Sequence, residues 1–278
     1  MRHTAKITAA ALATAALTLG LTACGSDKDN STSSADTGKP LIVAASPTPH
    51  AEILNYVKDN LAKKAGLDLE IKEFQDYIVP NTATEDGSVD ANYFQNQPYL
   101  DDFNKKRGTH IVPVVTVHLE PLGLYSHKVK SADALKSGAT IAVPNDAVNE
   151  ARALKLLAAN KLITLKDGTG NEATPQDIAD NPKNLKFKEV EAAQTPRSLD
   201  DVDAAVINGN YAISADLKPA KDALVLESAK NNPYGNFLAV KKGNEKDPRV
   251  LKLAKLLTSP EVKKFIEDKY QGSVIPSF

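Results

Sequence analysis

The sequence has one cysteine, one methionine and no tryptophan among its 278 residues. A single cysteine excludes an intramolecular disulfide, and its position at Cys24 leaves no thiol for catalysis in the folded body. Five histidines are present, and none has the spacing of a nucleophile elbow or of a zinc-protease helix. The net charge is only −1, and without a basic block the sequence does not favour nucleic-acid binding.

The longest uncharged run lies near the N-terminus. Ile7–Leu21, rich in Ala, Leu and Thr, follows a basic start and has the length of a signal-peptide core rather than of a membrane span. It ends in Leu-Thr-Ala-Cys at residues 21–24, which looks like a bacterial lipoprotein signal. We predict that residues 1–23 are a signal peptide and that Cys24 becomes the lipidated first residue. The alternative is an ordinary secretory signal with an incidental cysteine.

The segment after Cys24 is poor in apolar residues. Residues 24–39 are small and polar, which predicts a flexible tether after the lipidated cysteine. A lipidated N-terminus on a short tether predicts a globular body that is anchored to the extracytoplasmic side of the cell membrane without spanning it.

From Pro40 onward the pattern alternates between strand and helix. Strands are predicted at Leu41–Ala45 and Leu67–Phe74, on either side of an amphipathic helix over Ala51–Ala65 that Gly66 ends. Strand, helix and strand form the unit of a parallel α/β sheet. Further strands are predicted at Ile111–Val117, Ile141–Val143, Leu185–Val190 and Ala204–Ile207. Further helices are predicted near Ala132–Leu135, at Pro175–Ala179, from Arg197, at Asp247–Leu257 and at Pro260–Tyr270.

This order of elements predicts two α/β lobes with a ligand cleft between them, at the carboxyl ends of strands. The chain is expected to cross between the lobes near Leu119–Ser126 and Asn231–Val240. The predicted boundaries are 40–120 for the first part of lobe 1, 121–230 for lobe 2 and 231–278 for the return to lobe 1.

One strand–helix unit, Ala139–Leu157, predicts a site for a small anion. Asp146 is the expected N-cap of the helix, and Asn149 and Arg152 share one face of its first turns. A helix N-terminus offers free N–H groups, and the planar fork of arginine matches a carboxylate. Asn208, which ends another predicted strand, is expected to converge on the same point. A solvated arginine at a polar helix start is the alternative.

Aromatic residues are concentrated between Phe74 and Leu100. This segment holds five of the 8 tyrosines and 7 phenylalanines, interleaved with Asn, Gln, Asp and Pro without a clean period. Such a mixture favours the wall of a cleft over a helix stripe, although core packing is the alternative for any single ring. The five residues are Phe74, Tyr77, Tyr93, Phe94 and Tyr99.

Six segments lie in order along the body: PHAEIL at 49–54, FQDY at 74–77, NYFQ at 92–95, HLEPLGLYS at 118–126, IAVPND at 141–146 and AVINGNYA at 205–212. In these segments the chain resembles the NlpA-type substrate-binding lipoproteins, the methionine-binding components of ABC importers. The resemblance spans nearly the whole body, from about Pro40 to Phe278.

The resemblance implies a two-lobed, periplasmic-binding-protein-like fold of type II that closes on methionine. It implies a binding protein rather than an enzyme, with no cofactor and no metal, that works as a monomer and delivers its ligand to an ABC permease with its ATPase. Arg152 would take the ligand carboxylate, and Asn149 and Asn208 its polar backbone groups. The wall of the side-chain pocket would be formed by Tyr77, Phe94 and Tyr99.

One position departs from the family pattern. Many members have histidine after the Phe-Gln pair, where this chain has Asn96. Asparagine is shorter and has no titratable group, so the end of the ligand's side chain is expected to be contacted differently. L-methionine, D-methionine, a methionine-containing dipeptide and another amino acid therefore remain open as ligands.

Three other functions remain open from the residues alone. A secreted enzyme is one, because two-lobed folds also host enzymes. A metal-binding lipoprotein is the second, although His110 and His118 are expected to lie in a loop and at a lobe crossing rather than together. A tethered adhesin or scaffold is the third, and it would leave the polar, aromatic-lined cleft unexplained.

Overall fold

The computed structural model describes residues 38–170 and 172–278. The predicted signal peptide, the lipidation site at Cys24 and the predicted tether up to residue 37 lie outside the described residues. Within the described part of the chain, none of the helices combines the length and the apolar character needed to span a membrane.

The elements are numbered in chain order. Strands β1 to β13 are Leu41–Ala45, Leu69–Glu73, Ala91–Asn96, Ile111–Leu119, Gly123–Tyr125, Thr140–Pro144, Thr164–Leu165, Ile178–Asp180, Lys186–Val190, Ala204–Ile207, Val225–Leu226, Gly235–Lys241 and Ile275–Pro276. Helices α1 to α8 are Glu52–Val57, Val79–Asp86, Gln97–Arg107, Ala147–Ala159, Gly209–Ser214, Pro219–Asp222, Pro248–Leu257 and Pro260–Tyr270. Short π-helical turns flank α1 at Pro47–Ala51 and Lys58–Ala62. Short 3-10 turns lie at Ala132–Ala134, Pro175–Asp177, Ala192–Gln194 and Arg197–Asp200.

Two mixed sheets organise these elements. The first sheet has six strands in the order β13-β4-β12-β3-β1-β2, and the second has five in the order β11-β5-β10-β6-β9. The chain builds β1 to β4 of the first sheet, continues through the second and returns with β12, which runs antiparallel to both β3 and β4. The α/β architecture with two lobes that we predicted is confirmed.

Each sheet has its own apolar core. In the first, the sequence LIVAA of β1 is buried because this strand pairs with β2 on one edge and β3 on the other, while helices cover its faces. In the second, the apolar stripe of α4 packs on β6, and Leu154 and Leu157 are fully buried. Burying one leucine side chain contributes roughly 1.5–3 kcal/mol, so each core stabilises its lobe substantially.

Most predicted strands match the structure, and the first helix is confirmed with a different start. Thr48 is extended, with φ −133° and ψ 143°, so the helix starts only after it and runs through α1 to Ala62. Gly66 has the positive φ of +61° expected of a residue that terminates a helix. The predicted helix over Pro175–Ala179 is wrong beyond Asp177, because Ile178–Asp180 pairs with β7 as a strand.

The segment between Phe74 and Leu100, for which no strand or helix was predicted, forms α2, β3 and the start of α3. All six residues of β3, sequence ANYFQN, are buried. Its polar side chains are paired inside the fold: the Asn92 amide donates to Asn81 Oδ1 at 3.1 Å, and that of Gln95 donates to the same oxygen at 2.6 Å. Because burial of these amides depends on partners from α2, the hydrophobic pattern alone did not reveal a central strand.

Candidate functional site

A cavity lies where residues at and beyond the ends of strands from the two sheets meet. All seven residues predicted to bind ligand line it. Its lining consists of Tyr77, Phe94, Gln95, Asn96, Tyr99, Glu120, Asn149, Arg152, Asn208, Gly209, Asn210 and Asn236.

A chain of amides at the start of α4 leads into the cavity. Asp146 caps the helix, as predicted: its carboxylate accepts from the Asn149 backbone N–H and from the Asn149 side-chain amide, each at 3.0 Å. Because the carboxylate only accepts, the Asn149 oxygen points away from it and accepts from Asn208 Nδ2 at 2.9 Å. The remaining oxygen, Asn208 Oδ1, is buried and has no hydrogen-bond partner among the described residues.

Arg152 is 4% exposed and is held by groups that the sequence did not indicate. Its Nε and Nη2 donate to the two carboxylate oxygens of Glu227, at 2.8 and 2.5 Å. Nη2 also donates to the Glu120 carbonyl at 3.0 Å, and the guanidinium lies 4.0 Å from the ring centre of Tyr234. Burial raises the pKa of Glu227, but the hydrogen bonds and charge of Arg152 outweigh burial and hold that pKa below its ordinary value.

Three of the five clustered aromatic residues line the cavity as predicted. The ring centre of Tyr77 lies 5.8 Å from that of Phe94 and 5.7 Å from that of Tyr99, in tilted and edge-on contacts. Their polar ends are satisfied, since Tyr77 donates to Asn210 Oδ1 at 2.5 Å and Tyr99 donates to the Tyr77 carbonyl at 3.1 Å. The ring faces therefore form an apolar wall, and the hydroxyls of Tyr77 and Tyr99 are held by hydrogen bonds.

The other two rings are not part of this wall but lie in apolar packing, the reading that the sequence left open for any single ring. Tyr93 is fully buried in the core of the first sheet, where its hydroxyl bonds to His118 Nδ1. Phe74 packs against a small apolar cluster around Ala83 and Val89. The two faces of a strand explain the result, because Tyr93 and Phe94 are neighbours on β3 and their side chains point to opposite sides.

Asn96 has a structural task at the cavity edge. It is the N-cap of α3, and its Oδ1 accepts from the Tyr99 backbone N–H at 3.2 Å. The cap uses only the oxygen of the Asn96 side-chain amide and not its nitrogen. The position where the family pattern often has histidine thus fixes the helix that carries Tyr99.

Four polar residues in the lining were missed as site residues by sequence reasoning: Gln95, Glu120, Asn210 and Asn236. Glu120 has the strongest signal in the sequence, because it directly follows the buried end of β4, Val117–Leu119, and precedes a proline. A charged residue at the carboxyl end of a buried strand is a candidate for a site. It is 5% exposed and brings a negative group into the same cavity as Arg152.

Behind Glu120, two histidines meet one carboxylate oxygen. His118 Nε2 lies 2.8 Å and His50 Nε2 3.2 Å from Glu120 Oε1, and the three donor atoms are all within 4.8 Å of one another. His118 lies near the end of β4 and meets His50 and Glu120, whereas His110 lies apart just before this strand. Burial lowers the pKa of His50 to about 4 and that of His118 to about 3, so both rings are neutral N–H donors at pH 7. Imidazole and carboxylate are also side chains that bind metal ions, so the same three residues form a possible ligand set.

The fold and the site together define a two-lobed α/β binding protein, with a polar, aromatic-lined cavity where strands of both sheets end. The sequence model of the NlpA lipoprotein family matches residues 41–278. The chain therefore belongs to the NlpA lipoprotein family.

Similar proteins carry informative names. The methionine-binding lipoprotein MetQ of Bacillus subtilis is 43% identical over 261 residues, which cover 92% of this chain and 93% of that protein. The D-methionine-binding lipoprotein MetQ of Salmonella typhimurium is 40% identical over 259 residues, with 92% and 93% covered. A nutrient binding protein from Burkholderia cenocepacia, solved bound to methionine, is 48% identical with a TM-score of 0.83 and covers 86% of this chain and 100% of that chain.

Proposed function

We propose that this protein is the substrate-binding lipoprotein of an ABC importer, which captures methionine and delivers it to a membrane permease. One observation carries the proposal: a single cavity contains a guanidinium, a carboxylate and an aromatic wall. An amino acid with an apolar side chain presents the complementary groups. The names of the relatives and the methionine bound to the Burkholderia protein support this ligand.

The charged ends of the ligand are assigned first. Arg152 uses Nε and Nη2 for protein partners, and we assign its Nη1 edge to the ligand carboxylate, with Asn149 beside it. The ammonium is assigned to Glu120 and to the unpartnered Asn208 Oδ1, which are both acceptors. The two charges of the zwitterion are thus bound separately, the carboxylate by Arg152 and the ammonium by Glu120.

The thioether is assigned to the wall of Tyr77, Phe94 and Tyr99, with Asn96 at its edge. Burying such a side chain contributes roughly 1.5–3 kcal/mol, and contact between sulfur and an aromatic ring adds about 0.3–1.5 kcal/mol. These contributions alone give modest affinity, so the charged ends must supply the orientation and most of the remaining binding energy.

The two lobes are proposed to close on the ligand. We place the crossings between β4 and β5 and between β11 and β12, which gives lobe 1 as 40–120 with 231–278 and lobe 2 as 121–230. Hydrogen bonds that join the two sides support closure: Tyr77 donates to Asn210, and Tyr211 donates to the Gln75 carbonyl at 2.9 Å.

The proposed location follows from the N-terminus. Removal of residues 1–23 and lipidation of Cys24 would tether a monomeric body to the extracytoplasmic side of the cell membrane, next to the permease and its ATPase. The relatives' names as lipoproteins support this assignment. Capture and delivery require no catalysis and no cofactor.

The test is to express residues 25–278, unfold the purified protein and identify released small molecules by mass spectrometry. Methionine at about one per chain is the expected result, with its chirality then resolved. The refolded, ligand-free protein is titrated with L-methionine, D-methionine and a methionine-containing dipeptide by calorimetry. A dipeptide or another amino acid as the tighter ligand would change the substrate, and no binding of any amino acid or peptide would refute the proposal.

A further inference from the structure

The Glu120 carboxylate has a built support on the side away from the cavity. His118 reaches Oε1 from β4 and His50 reaches it from the turn that precedes α1. Both rings are buried, at 0% and 1% exposure. The ligand assignments above use neither histidine, so their presence behind a cavity carboxylate needs its own explanation.

The partners of the rings fix where their protons lie. The Tyr93 hydroxyl bonds to His118 Nδ1, and a neutral ring with its proton on Nδ1 would turn a lone pair toward the carboxylate. When Glu120 is ionised, the proton of His118 therefore lies on Nε2 and is donated to the carboxylate. His50 Nε2 lies between two acceptors, Glu120 Oε1 and Asn236 Oδ1 at 3.1 Å, so it also carries its proton there.

Two N–H donors on one oxygen favour the ionised carboxylate over the neutral acid. They also fix its direction, and Gly209 packs closely on the other side, since a Cβ built there would lie 3.1 Å from Oε2. We propose that His50 and His118 are positioning residues that hold Glu120 as an oriented carboxylate for the ammonium of the ligand. This inference rests on the proposed function, and it makes a cationic amine a requirement for binding.

The charged and titratable groups that face Glu120, together with its burial, shift the pKa of this residue in opposite directions. Burial is the largest effect and leaves the pKa of Glu120 above its ordinary value, while the His50 ring, the charge of Arg152 and the Asn210 backbone N–H act to lower it. The groups from all elements packed around it are His50, His118, Arg152, Tyr77, Tyr93 and Tyr270. Loss of one imidazole donor removes support from the ionised form, so the carboxylate then takes up a proton at a higher pH.

The test compares the wild-type protein with His118→Leu, which removes the donor, and with His118→Gln, whose amide nitrogen restores one. Calorimetric titration with methionine over a range of pH is expected to show affinity falling on the acid side. In His118→Leu this fall moves to higher pH and affinity at neutral pH drops about tenfold or more, while His118→Gln recovers most of it. His110→Gln, at an exposed histidine, is the matched control and should behave as wild type.

A second measurement needs no ligand. Carbon NMR of labelled glutamate side chains follows the Glu120 carboxyl directly, and its pKa should rise in His118→Leu by about one unit relative to wild type. If circular dichroism shows that this variant is unfolded, His50→Leu makes the same test from the opposite side of the carboxylate.

Two results would overturn the inference. One is a folded variant without the donor in which the Glu120 pKa is unchanged and methionine affinity falls at the same acid pH as in the wild type. The other is stoichiometric, tight binding of zinc by the wild type that both variants lose, since the three side chains would then be metal ligands. If the wild type binds no methionine at any pH, the proposed function fails, and the NMR comparison still decides whether the histidines hold the carboxylate.

Discussion

In the proposed site Arg152 has two roles, since it pairs with Glu227 inside the protein and binds the carboxylate of the ligand. It is bound on one edge by Glu227 and stacked on Tyr234, and both of these residues belong to the segment that returns the chain to the first sheet. Because two hydrogen bonds and a ring face fix the guanidinium, little rotamer freedom remains to be lost when a ligand binds. Glu227 thus neutralises the charge of Arg152 and also fixes the direction of its guanidinium.

We predict that Arg152→Lys weakens methionine binding about tenfold or more, because an ammonium cannot hold Glu227 and a ligand carboxylate in the same bidentate manner. Asn96→Ala should weaken binding far less and lower the free energy of unfolding by roughly 1 kcal/mol through loss of the α3 cap. Calorimetry and chemical denaturation check the two effects. Asn96→Asp, which keeps a capping oxygen, is the control, and a larger loss of affinity in Asn96→Ala than in Arg152→Lys would contradict the assignment.

Glu150 gives the protein a pH-dependent stability. It is 6% exposed at the start of α4, and its Oε1 has no hydrogen-bond partner among the described residues. Burial, followed by the charge of Glu189, raises the pKa of Glu150 to about 7 from an ordinary value of 4.5. The folded state therefore holds a proton that the unfolded chain releases, and stability should decrease as pH rises between these two values.

Glu150→Gln is the variant that tests this group. Above about pH 7 it should be more stable than wild type, and below about pH 4.5 the difference should vanish, because glutamine resembles the protonated acid. Thermal unfolding of both proteins across this range measures the effect. A constant difference at all pH values would show that Glu150 does not titrate in this range.

At the scale of elements, the start of α5 packs directly against the end of β4. A Cβ built on Gly209 would lie 2.7 Å from Glu120 Cβ, a contact that forces one of the two backbones to move. A glycine at this position thus allows the two segments that carry Glu120 and Asn210 to approach each other. The requirement is one of space, since the φ of Gly209 is not positive.

We predict that Gly209→Ala displaces Glu120, weakens methionine binding about tenfold and lowers stability by roughly 1–3 kcal/mol. Gly170→Ala is the matched control, because a Cβ there meets nothing within 4 Å. Calorimetry and thermal unfolding distinguish the two. Equal behaviour of both alanine variants would mean that this close approach does not shape the site.

At the scale of the whole molecule, the cavity is walled by elements of two sheets with separate cores. In the proposed complex the ligand contacts Arg152 on the side of the second sheet, and Glu120 with the rings of Tyr77, Phe94 and Tyr99 on the side of the first, so it connects the two. Binding therefore stabilises the folded body as a whole rather than one lobe.

Methionine at about one hundred times its dissociation constant should raise the free energy of unfolding by roughly 2.7 kcal/mol. Thermal unfolding with and without ligand measures the rise, and an amino acid that does not bind serves as the control. In Arg152→Ala the rise should disappear at the same methionine concentration. A rise that persists in this variant would show that methionine acts elsewhere on the protein.

The sequence alone determined the elements whose cause is local. The strands around Leu41 and Ile141, the Asp146 cap and the return of the chain to lobe 1 follow from apolar period, capping chemistry and chain order. The concentration of rings with Asn and Gln indicated a cavity wall, and three of the five rings form it. These features depend on neighbours within a few residues, so a linear pattern contains them.

The tertiary structure alone decided which polar groups meet. Arg152 and Glu227 are 75 residues apart, and His50 and Glu120 come together only because the turn before α1 packs against the end of β4. The polar strand β3 is buried because α2 supplies partners for its amides. A charge or an amide can be buried only where a partner is present, and such partners are set by three-dimensional packing rather than by spacing along the chain.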